Sequence, residues 1–177
     1  MNINDIKKFP NPHYNVHIGF DFVEHWIEDQ TDRGVNQTID LNPDFQRGHV
    51  WTQEQQIAFI EFCLKEGQGS RNIYFNHPQW QHTYKGTMVL VDGKQRLEAV
   101  RTFMRNELPV FGGYKLNDFD DPKRVGRSNG AFLQFYVNTL QTRAELLEWY
   151  LSINSGGVVH TTAELEKVRQ LLALEAE

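Results

Sequence analysis

The stretch that decides the fold is Thr87–Asn106, which reads TMVLVDGKQRLEAVRTFMRN. Its first part, Met88–Val91, is an apolar run of the kind that forms a buried strand. Asp92 and Gly93 then predict a turn. The apolar residues that follow recur at the spacing of one helix face: Leu97, Val100, Phe103 and Met104. We therefore predict a strand, a tight turn and a helix.

The start of this helix has the chemistry of an anion site. The first backbone N–H groups of a helix have no partner within it, and the helix dipole adds partial positive charge, so helix starts bind phosphate. Lys94 and Arg96 lie in the first turn, although cations there oppose the dipole by about 0.3–1 kcal/mol each. A locally unfavourable residue choice often marks function. With Asp92 at the entrance, the pattern predicts a phosphate site, with or without a metal ion.

The same residues also permit a purely structural interpretation. Asp92 is a favourable N-cap, and Gln95 three residues later completes a pair that resembles a capping box. Lys94 and Arg96 would then be solvated residues of the first turn. The residues alone leave the phosphate site and the cap open as alternatives of equal weight.

The composition fits one globular domain with an ordinary core. The chain has 177 residues, of which 40% are hydrophobic and 12% aromatic, as is usual for a folded protein. The net charge of −5 argues against nucleic-acid binding by overall basicity but leaves room for a local basic patch. We predict an irregular segment over residues 1–14 and a single domain over residues 15–177.

The chain shows no sign of a targeting or membrane-spanning segment. Its first residues, MNINDIKKFPNP, lack the apolar core of a signal peptide, and no apolar run approaches the ~20 residues that span a bilayer. Cys63 is the only cysteine, which excludes an internal disulfide and favours a reducing compartment. We therefore expect a cytoplasmic protein with no membrane partner.

Helical and extended patterns alternate along the rest of the chain. The expected helices are residues 19–30 and segments that begin at Thr52, Thr142 and Thr161. The expected strands are residues 72–75, 88–91, 108–111 and 131–137. Residues 115–130 are polar and predict a mobile insertion or surface loop. The fold class is therefore α+β: a compact single domain in which a small mixed sheet packs with several helices.

Two further polar clusters interrupt apolar patterns. Gln46 and Arg47 stand ahead of Trp51, and an arginine buried there would need an anion. That anion would be either Asp92 or a bound phosphate, whose oxygens suit the guanidinium fork. The second cluster, Asn154–Gly157, predicts either a helix end followed by a loop or a flexible loop that closes over a ligand.

Other residue types offer weaker signals. The 7 histidines show neither an i, i+4 helical pair nor an HExxH motif, so we expect no metal site built on them. Trp80 lies in a polar loop and is a candidate platform for stacking.

Three motifs in one order carry a resemblance to a known family. They are NPDFQRGHVWT (residues 42–52), VDGKQRLEAV (residues 91–100) and SINSGG (residues 152–157) followed by TAEL. Together they resemble domain-of-unknown-function family 262, the N-terminal domain type of GmrSD-like modification-dependent restriction proteins. That family belongs to the ParB/sulfiredoxin-like superfamily. The resemblance covers about residues 15–172.

The resemblance implies a ParB-like fold and a nucleotide-dependent role. It places NTP hydrolysis on the DGQQR-type motif, with Mg²⁺ or another divalent cation at Asp92. Lys94 stands where many relatives have glutamine. The implied catalytic residues are Asp92, Gln95 and Arg96. The implied nucleotide- and phosphate-binding residues are Gln46, Arg47, Gly93, Lys94, Asn154, Gly156 and Gly157.

Three hypotheses for the function follow, and the third, implied by the superfamily, is a nuclease or phosphotransferase in its own right. The first is a nucleotide-binding, NTP-hydrolysing domain linked to DNA modification, restriction or defence. The second is a non-catalytic DNA-binding or regulatory subunit. The restriction proteins carry a second, HNH-type nuclease domain. We expect none in this chain, because the sequence ends at Glu177. We therefore expect a nucleoside triphosphate as partner, with DNA and a separate nuclease or modification subunit as further partners. The oligomeric state stays open.

Overall fold

The computed structural model describes residues 2–3, 12, 14–31, 37–46, 48, 50–155 and 162–175. Within these ranges it shows an α+β domain built on one five-stranded mixed sheet, which confirms the predicted fold class. The strands are β1 (Tyr14–Gly19), β2 (Gln37–Asp40), β3 (Asn72–Asn76), β4 (Gly86–Asp92) and β5 (Phe132–Asn138). The helices are α1 (Val23–Thr31), α2 (Gln53–Leu64), α3 (Lys94–Met104), α4 (Pro122–Val125), α5 (Arg143–Ser155) and α6 (Thr162–Leu174).

The strand order places β4, the strand of the central motif, inside the sheet. The order is β1-β5-β3-β4-β2. β4 runs parallel to β2 and antiparallel to β3, whereas β5 runs parallel to β3 and antiparallel to β1. The end of β4 therefore meets the start of β3, where Asp92 lies opposite Tyr74. This pairing brings the β4–α3 turn next to the first residues of β3.

The sheet separates two apolar clusters. Leu90 of β4 belongs to the cluster formed with α1, α2 and α3, whereas the next residue, Val91, belongs to the cluster formed with α5 and α6. Since successive side chains of a strand point to opposite faces, helices cover both faces of β4. Leu90 and Val91 are both fully buried, which explains why Met88–Val91 is apolar throughout and does not alternate.

The expected helix starts at Thr52 and Thr142 are confirmed. The Thr52 hydroxyl accepts a hydrogen bond from the Gln55 N–H, and the Gln55 side chain accepts one from the Thr52 N–H, so the capping box of α2 is complete. At α5, Glu145 and Thr142 exchange the same pair of bonds. The expected helix 19–30 begins as a 3₁₀ turn and continues as α1. Thr161 lies outside the described residues.

The expected strand over residues 108–111 is wrong. Val110 forms an isolated bridge with Tyr114 instead of joining the sheet. The chain turns back through Gly112 and Gly113, both at positive φ, so the segment pairs with itself. A strand needs a neighbour at the right distance, and the apolar pattern of four residues does not report one.

Residues 115–130 lie mostly at the surface, as expected, but they contain two short helices. Leu116–Asp118 forms a 3₁₀ helix, and Asp121 caps α4 through a bond from the Arg124 N–H. Leu116 is buried in the larger apolar cluster. One buried leucine and one cap thus order a stretch whose composition is polar.

The other expectations have mixed outcomes. Trp80 is 7% exposed and packs against Tyr14 and Tyr84, so it is a core residue and not a stacking platform. Among the described residues, no helix is both long enough and apolar enough to cross a membrane. The domain boundary at residue 15 and the likeness to the ParB fold stay predictions.

Candidate functional site

The turn between β4 and α3 requires a glycine. Gly93 has a φ of 96°, which L side chains rarely adopt. A Cβ there would also lie 2.6 Å from Ile73 Cδ1 and 2.8 Å from the Asn72 carbonyl oxygen. Gly93 therefore allows the helix to start directly against the backbone of β3.

Asp92 and Arg96 form an ion pair across the first turn of α3. Arg96 Nη2 lies 2.8 Å from Asp92 Oδ2, and Arg96 Nε donates to the Asn72 carbonyl oxygen at 3.1 Å. The Asp92 side chain is 28% exposed and the Arg96 side chain is 20% exposed. Arg96 thus ties the end of β4 to the start of β3 while part of its guanidinium faces solvent.

The expectation that Asp92 caps α3 is wrong. The N-cap is Gly93, which has no side chain to bond the helix start. Asp92 is one residue too early, because the left-handed turn at Gly93 moves the cap position and Arg96 holds the carboxylate. The alternative in which Arg47 pairs with Asp92 falls outside the described residues, since Arg47 is not among them.

The helix start is unusual in its charge. Its first internal hydrogen bond runs from the Leu97 N–H to the Gly93 carbonyl, so the N–H groups of Gln95 and Arg96 are not used by the helix. The first turn contains no acidic residue but holds Lys94 and Arg96. By contrast, α2 and α5 start with side-chain caps. The start of α3 therefore combines unused backbone donors with two cations, of which Arg96 is paired with Asp92.

Gln95 holds the loop before α2 in place. Its Oε1 accepts hydrogen bonds from the N–H groups of Val50 and Trp51, each at 3.0 Å. Its Nε2 donates to the Gly48 carbonyl oxygen at 3.2 Å. The whole amide is thus bonded to the backbone of Gly48, Val50 and Trp51, which makes Gln95 a positioning residue.

Gln46 also bonds to backbone. Its Nε2 donates to the Leu90 carbonyl oxygen of β4 at 2.6 Å. The pairing of β2 with β4 ends at Asp40, which lies opposite Val89, so Gln46 continues the bonding of β4 by one residue. The neighbouring Phe45 packs edge-on against Tyr150 of α5, with ring centroids 5.1 Å apart. The QR segment is therefore joined to β4 and to α5.

The late cluster is only partly described. Asn154 lies in the last turn of α5, is 9% exposed, and donates from Nδ2 to the Tyr150 carbonyl oxygen at 2.8 Å. It does not end the helix, which continues to Ser155. Among the described residues it makes no hydrogen bond to Asp92–Arg96. Gly156 and Gly157 lie outside the described residues.

Metal binding would have to rest on few protein ligands. In the described part of the chain, no group of three or more histidine, cysteine or acidic side chains could hold a metal ion. Asp92 is a single carboxylate, with Oδ2 bonded to Arg96. Such a site fits Mg²⁺ as bound in nucleotide complexes, through one or two carboxylates plus substrate phosphates. It does not fit a metal centre made by protein alone.

Sequence reasoning missed the residues of β3 that border the site. Asn72 supplies the carbonyl that holds Arg96, and its Nδ2 donates to the Tyr74 hydroxyl at 2.9 Å. Tyr74 stacks on Tyr136 of β5. The signal was present in the alternating pattern of NIYFN, whose second and fourth residues are core. The pairing of β3 with β4, however, is not local in sequence.

These observations first define a class: an α+β domain whose inner strand turns through Asp-Gly into a basic helix start. The family model of the GmrSD restriction endonuclease, N-terminal domain, matches residues 23–129. This is more than half of the chain, so the chain belongs to that family, as its motifs predict. The match includes the QR pair and Asp92–Arg96 and stops before α5. No curated protein and no solved structure matches the chain.

Proposed function

We propose that the chain binds a nucleoside triphosphate at the start of α3 and hydrolyses it in the service of DNA restriction or defence. The observation that carries the proposal is the helix start, which has no side-chain cap and two cations in its first turn. Cations at a helix start destabilise the protein because they oppose the helix dipole. A bound polyphosphate would make the electrostatic contribution of these cations favourable. The family membership supports the restriction context.

The phosphate contacts would come from backbone and side chains together. The N–H groups of Gln95 and Arg96 point along the helix axis away from α3. Arg96 donates from Nε to the Asn72 carbonyl oxygen and from Nη2 to Asp92. Its Nη1 makes no hydrogen bond among the described residues. A guanidinium held on one edge and open on the other suits a phosphate oxygen. Lys94 would add a second positive charge.

A divalent ion would sit between Asp92 and the phosphates. Asp92 Oδ1 makes no hydrogen bond among the described residues, so one carboxylate oxygen remains for a metal or for a water molecule. When bound, such an ion neutralises charge on the phosphate oxygens and lowers the pKa of a bound water. Asp92 would hold it, and Gln95 would act indirectly by holding Gly48, Val50 and Trp51 beside the helix start.

The test is a thermal-shift screen of the ribonucleoside triphosphates with and without Mg²⁺. At a hundredfold excess over Kd, a ligand stabilises by about 2.7 kcal/mol, which raises Tm by about 5–10 °C for a chain of this size. We expect Lys94→Gln to weaken the shift and Arg96→Ala to abolish it. Arg105→Ala is the matched control, because Arg105 lies at the C-terminal end of α3 and bonds Glu98, Glu107 and Thr102.

Arg96→Ala also removes the bond to Asn72, so its folding must be checked by circular dichroism. Lys94→Gln keeps the test informative if Arg96→Ala unfolds, since Lys94 takes no part in the Asp92–Arg96 pair. Equal rises in Tm for wild type, Lys94→Gln and Arg96→Ala would contradict a nucleotide site at the start of α3.

A second candidate function is a DNA-binding or regulatory subunit without turnover, working with a separate nuclease or modification enzyme. The Asp92–Arg96 pair favours it, because these groups already satisfy each other within the protein. In that case triphosphates would give no thermal shift, and duplex DNA would bind with a Kd that rises steeply with salt.

A further inference from the structure

One half of the sheet carries aromatic and amide side chains on the face opposite the main core. In the part of the chain that the structure describes, helix α5 covers this face only as far as Tyr74. The Tyr74 ring meets Trp149 edge-on at 5.8 Å and stacks on Tyr136 at 5.0 Å. Leu133 and Phe135 of β5 point to the other face, into the larger cluster. The β5 residues that alternate with them, together with their neighbours in β1 and β3, form what we call the open face: Asn15, His17, Asn72, Tyr74, Phe132, Gln134 and Tyr136. Asn15 and His17 are exposed and the others half-buried.

The open face presents two flat aromatic pairs. Tyr74 and Tyr136 stack with an interplanar angle of 18°, and His17 and Phe132 stack at 4.7 Å and 20°. Phe132 and Tyr136 are four residues apart in β5, which is about 13 Å along a strand. That distance is roughly four times the 3.4 Å spacing of bases in a duplex. Two bases that occupy the two pairs therefore do not stack on each other. A base can offer its flat face to a protein ring only when it has left the base stack, as in a single strand.

Amide groups lie between the aromatic pairs. Gln134 is opposite His17 in the register with β1 and opposite Asn72 in the register with β3. The side chains of Asn15 and Gln134 make no hydrogen bond among the described residues. Such amides can pair with the donor and acceptor edges of a base. The open face thus combines stacking surfaces with groups that read base edges.

The charge around the open face suits a polyanion. The strands β1, β3 and β5 contain no Asp and no Glu, although the chain as a whole carries a net charge of −5. The Arg71 guanidinium lies 4.8 Å from the centroid of the Phe132 ring. Arg71 is 7% exposed, and its Nε is buried without a hydrogen-bond partner. Because Arg71 also lies against the buried thiol of Cys63 in the larger cluster, it is not a contact for a ligand on the open face. What favours a polyanion there is that these three strands bring no carboxylate to repel it.

From this we infer that the open face binds single-stranded nucleic acid, with one unpaired base stacked on the His17–Phe132 pair and another on the Tyr136 ring. Sheets with exposed aromatic residues bind unpaired bases in this way, and stacking tolerates many sequences because every base has a π face. The inference stands apart from the nucleotide site, since it uses neither Lys94 nor Arg96.

The test is fluorescence anisotropy with labelled single strands of ~12 nucleotides, within the usual site size for sheet-based binders. Oligonucleotides of DNA and of RNA are compared with the matched duplex. His17→Ala and Tyr136→Leu should each raise Kd about fivefold or more, which is the lower end for the loss of one stacked base. Tyr136→Phe should keep wild-type affinity, because it retains the ring. Tyr114→Ala is the control, since Tyr114 is 58% exposed but lies in the turn after Val110.

Each outcome decides the inference. The inference is supported if single strands bind and if the two open-face variants weaken this binding while the control does not. The difference in affinity between DNA and RNA would then show which nucleic acid the face prefers. Absence of binding to any single strand would overturn it. So would binding that is the same in His17→Ala as in wild type, or equal affinity for the duplex. His17 is exposed, so His17→Ala stays informative even if Tyr136→Leu fails to fold.

Discussion

At the scale of single residues, Gly93 is the position on which the candidate site depends most. Gly93→Ala meets two penalties: the left-handed backbone, about 1–2 kcal/mol, and overlap with Asn72 and Ile73, about 1–3 kcal/mol. Gly86→Ala is the matched control, because Gly86 also has a positive φ but open space around its would-be Cβ. We expect urea denaturation to show a larger loss for Gly93→Ala than for Gly86→Ala. Equal losses would mean that the contact with β3 is unimportant.

Cys63 is predicted to be inert in the folded protein. It is fully buried, and burial raises the pKa of its thiol above the ordinary 9.0, although nearby Arg71 opposes the shift. A raised pKa favours folding below pH 9.0. That contribution to stability is lost as the pH rises through the pKa that the thiol has in the folded protein. A thiol reagent at pH 8 should therefore label unfolded protein at once and native protein only at the rate of opening. Rapid labelling without denaturant would contradict the burial.

At the scale of elements, Gln95 links α3 to the loop before α2. Gln95→Ala removes the acceptor for the Val50 and Trp51 N–H groups, so their hydrogen exchange should speed up markedly. Gln95→Glu keeps an acceptor oxygen and should preserve most of the protection. The measurement is amide exchange followed by NMR. Equal exchange in wild type and Gln95→Ala would show that the bonds from Gln95 do not hold the loop.

Local signals explain which elements could be predicted from sequence. The strand, turn and helix of Thr87–Asn106 follow from the change of apolar period at Gly93, and the α2 start follows from Thr52 and Gln55 alone. The cap at Asp92 was wrong because its outcome depends on Asn72, a residue of another strand that holds Arg96. The predicted strand over residues 108–111 was wrong for the same reason, because strand formation depends on a partner strand that the segment does not contain.

The residues of the candidate site show the same contrast between local and long-range determinants. Asp92, Lys94 and Arg96 could be found from sequence because an Asp-Gly turn and two cations at a helix start are unusual together. The supporting roles could not be predicted, because Gln46 bonds Leu90 and Gln95 bonds residues 48, 50 and 51, each across 44 to 47 positions of the chain. The open face depends on the β1–β5 register, which joins residues over a hundred positions apart.

At the scale of the whole molecule, the sheet offers two separate surfaces. The end of β4 and the start of α3 form one, with backbone donors and cations. The open face of β1, β5 and β3 forms the other, with rings and amides. Asn72 lies between them, because its carbonyl holds Arg96 and its side chain bonds Tyr74. A restriction domain that binds nucleotide at one surface and unpaired bases at the other would use both without overlap.

The most direct test of the nucleotide site is a ¹H–¹⁵N NMR titration of the wild-type protein with the triphosphate that gives the largest thermal shift, in Mg²⁺. We predict that the largest amide shifts fall on Gly93–Arg96, because those N–H groups would receive the phosphates. Small shifts there, with large shifts elsewhere or none at all, would contradict a phosphate site at the start of α3.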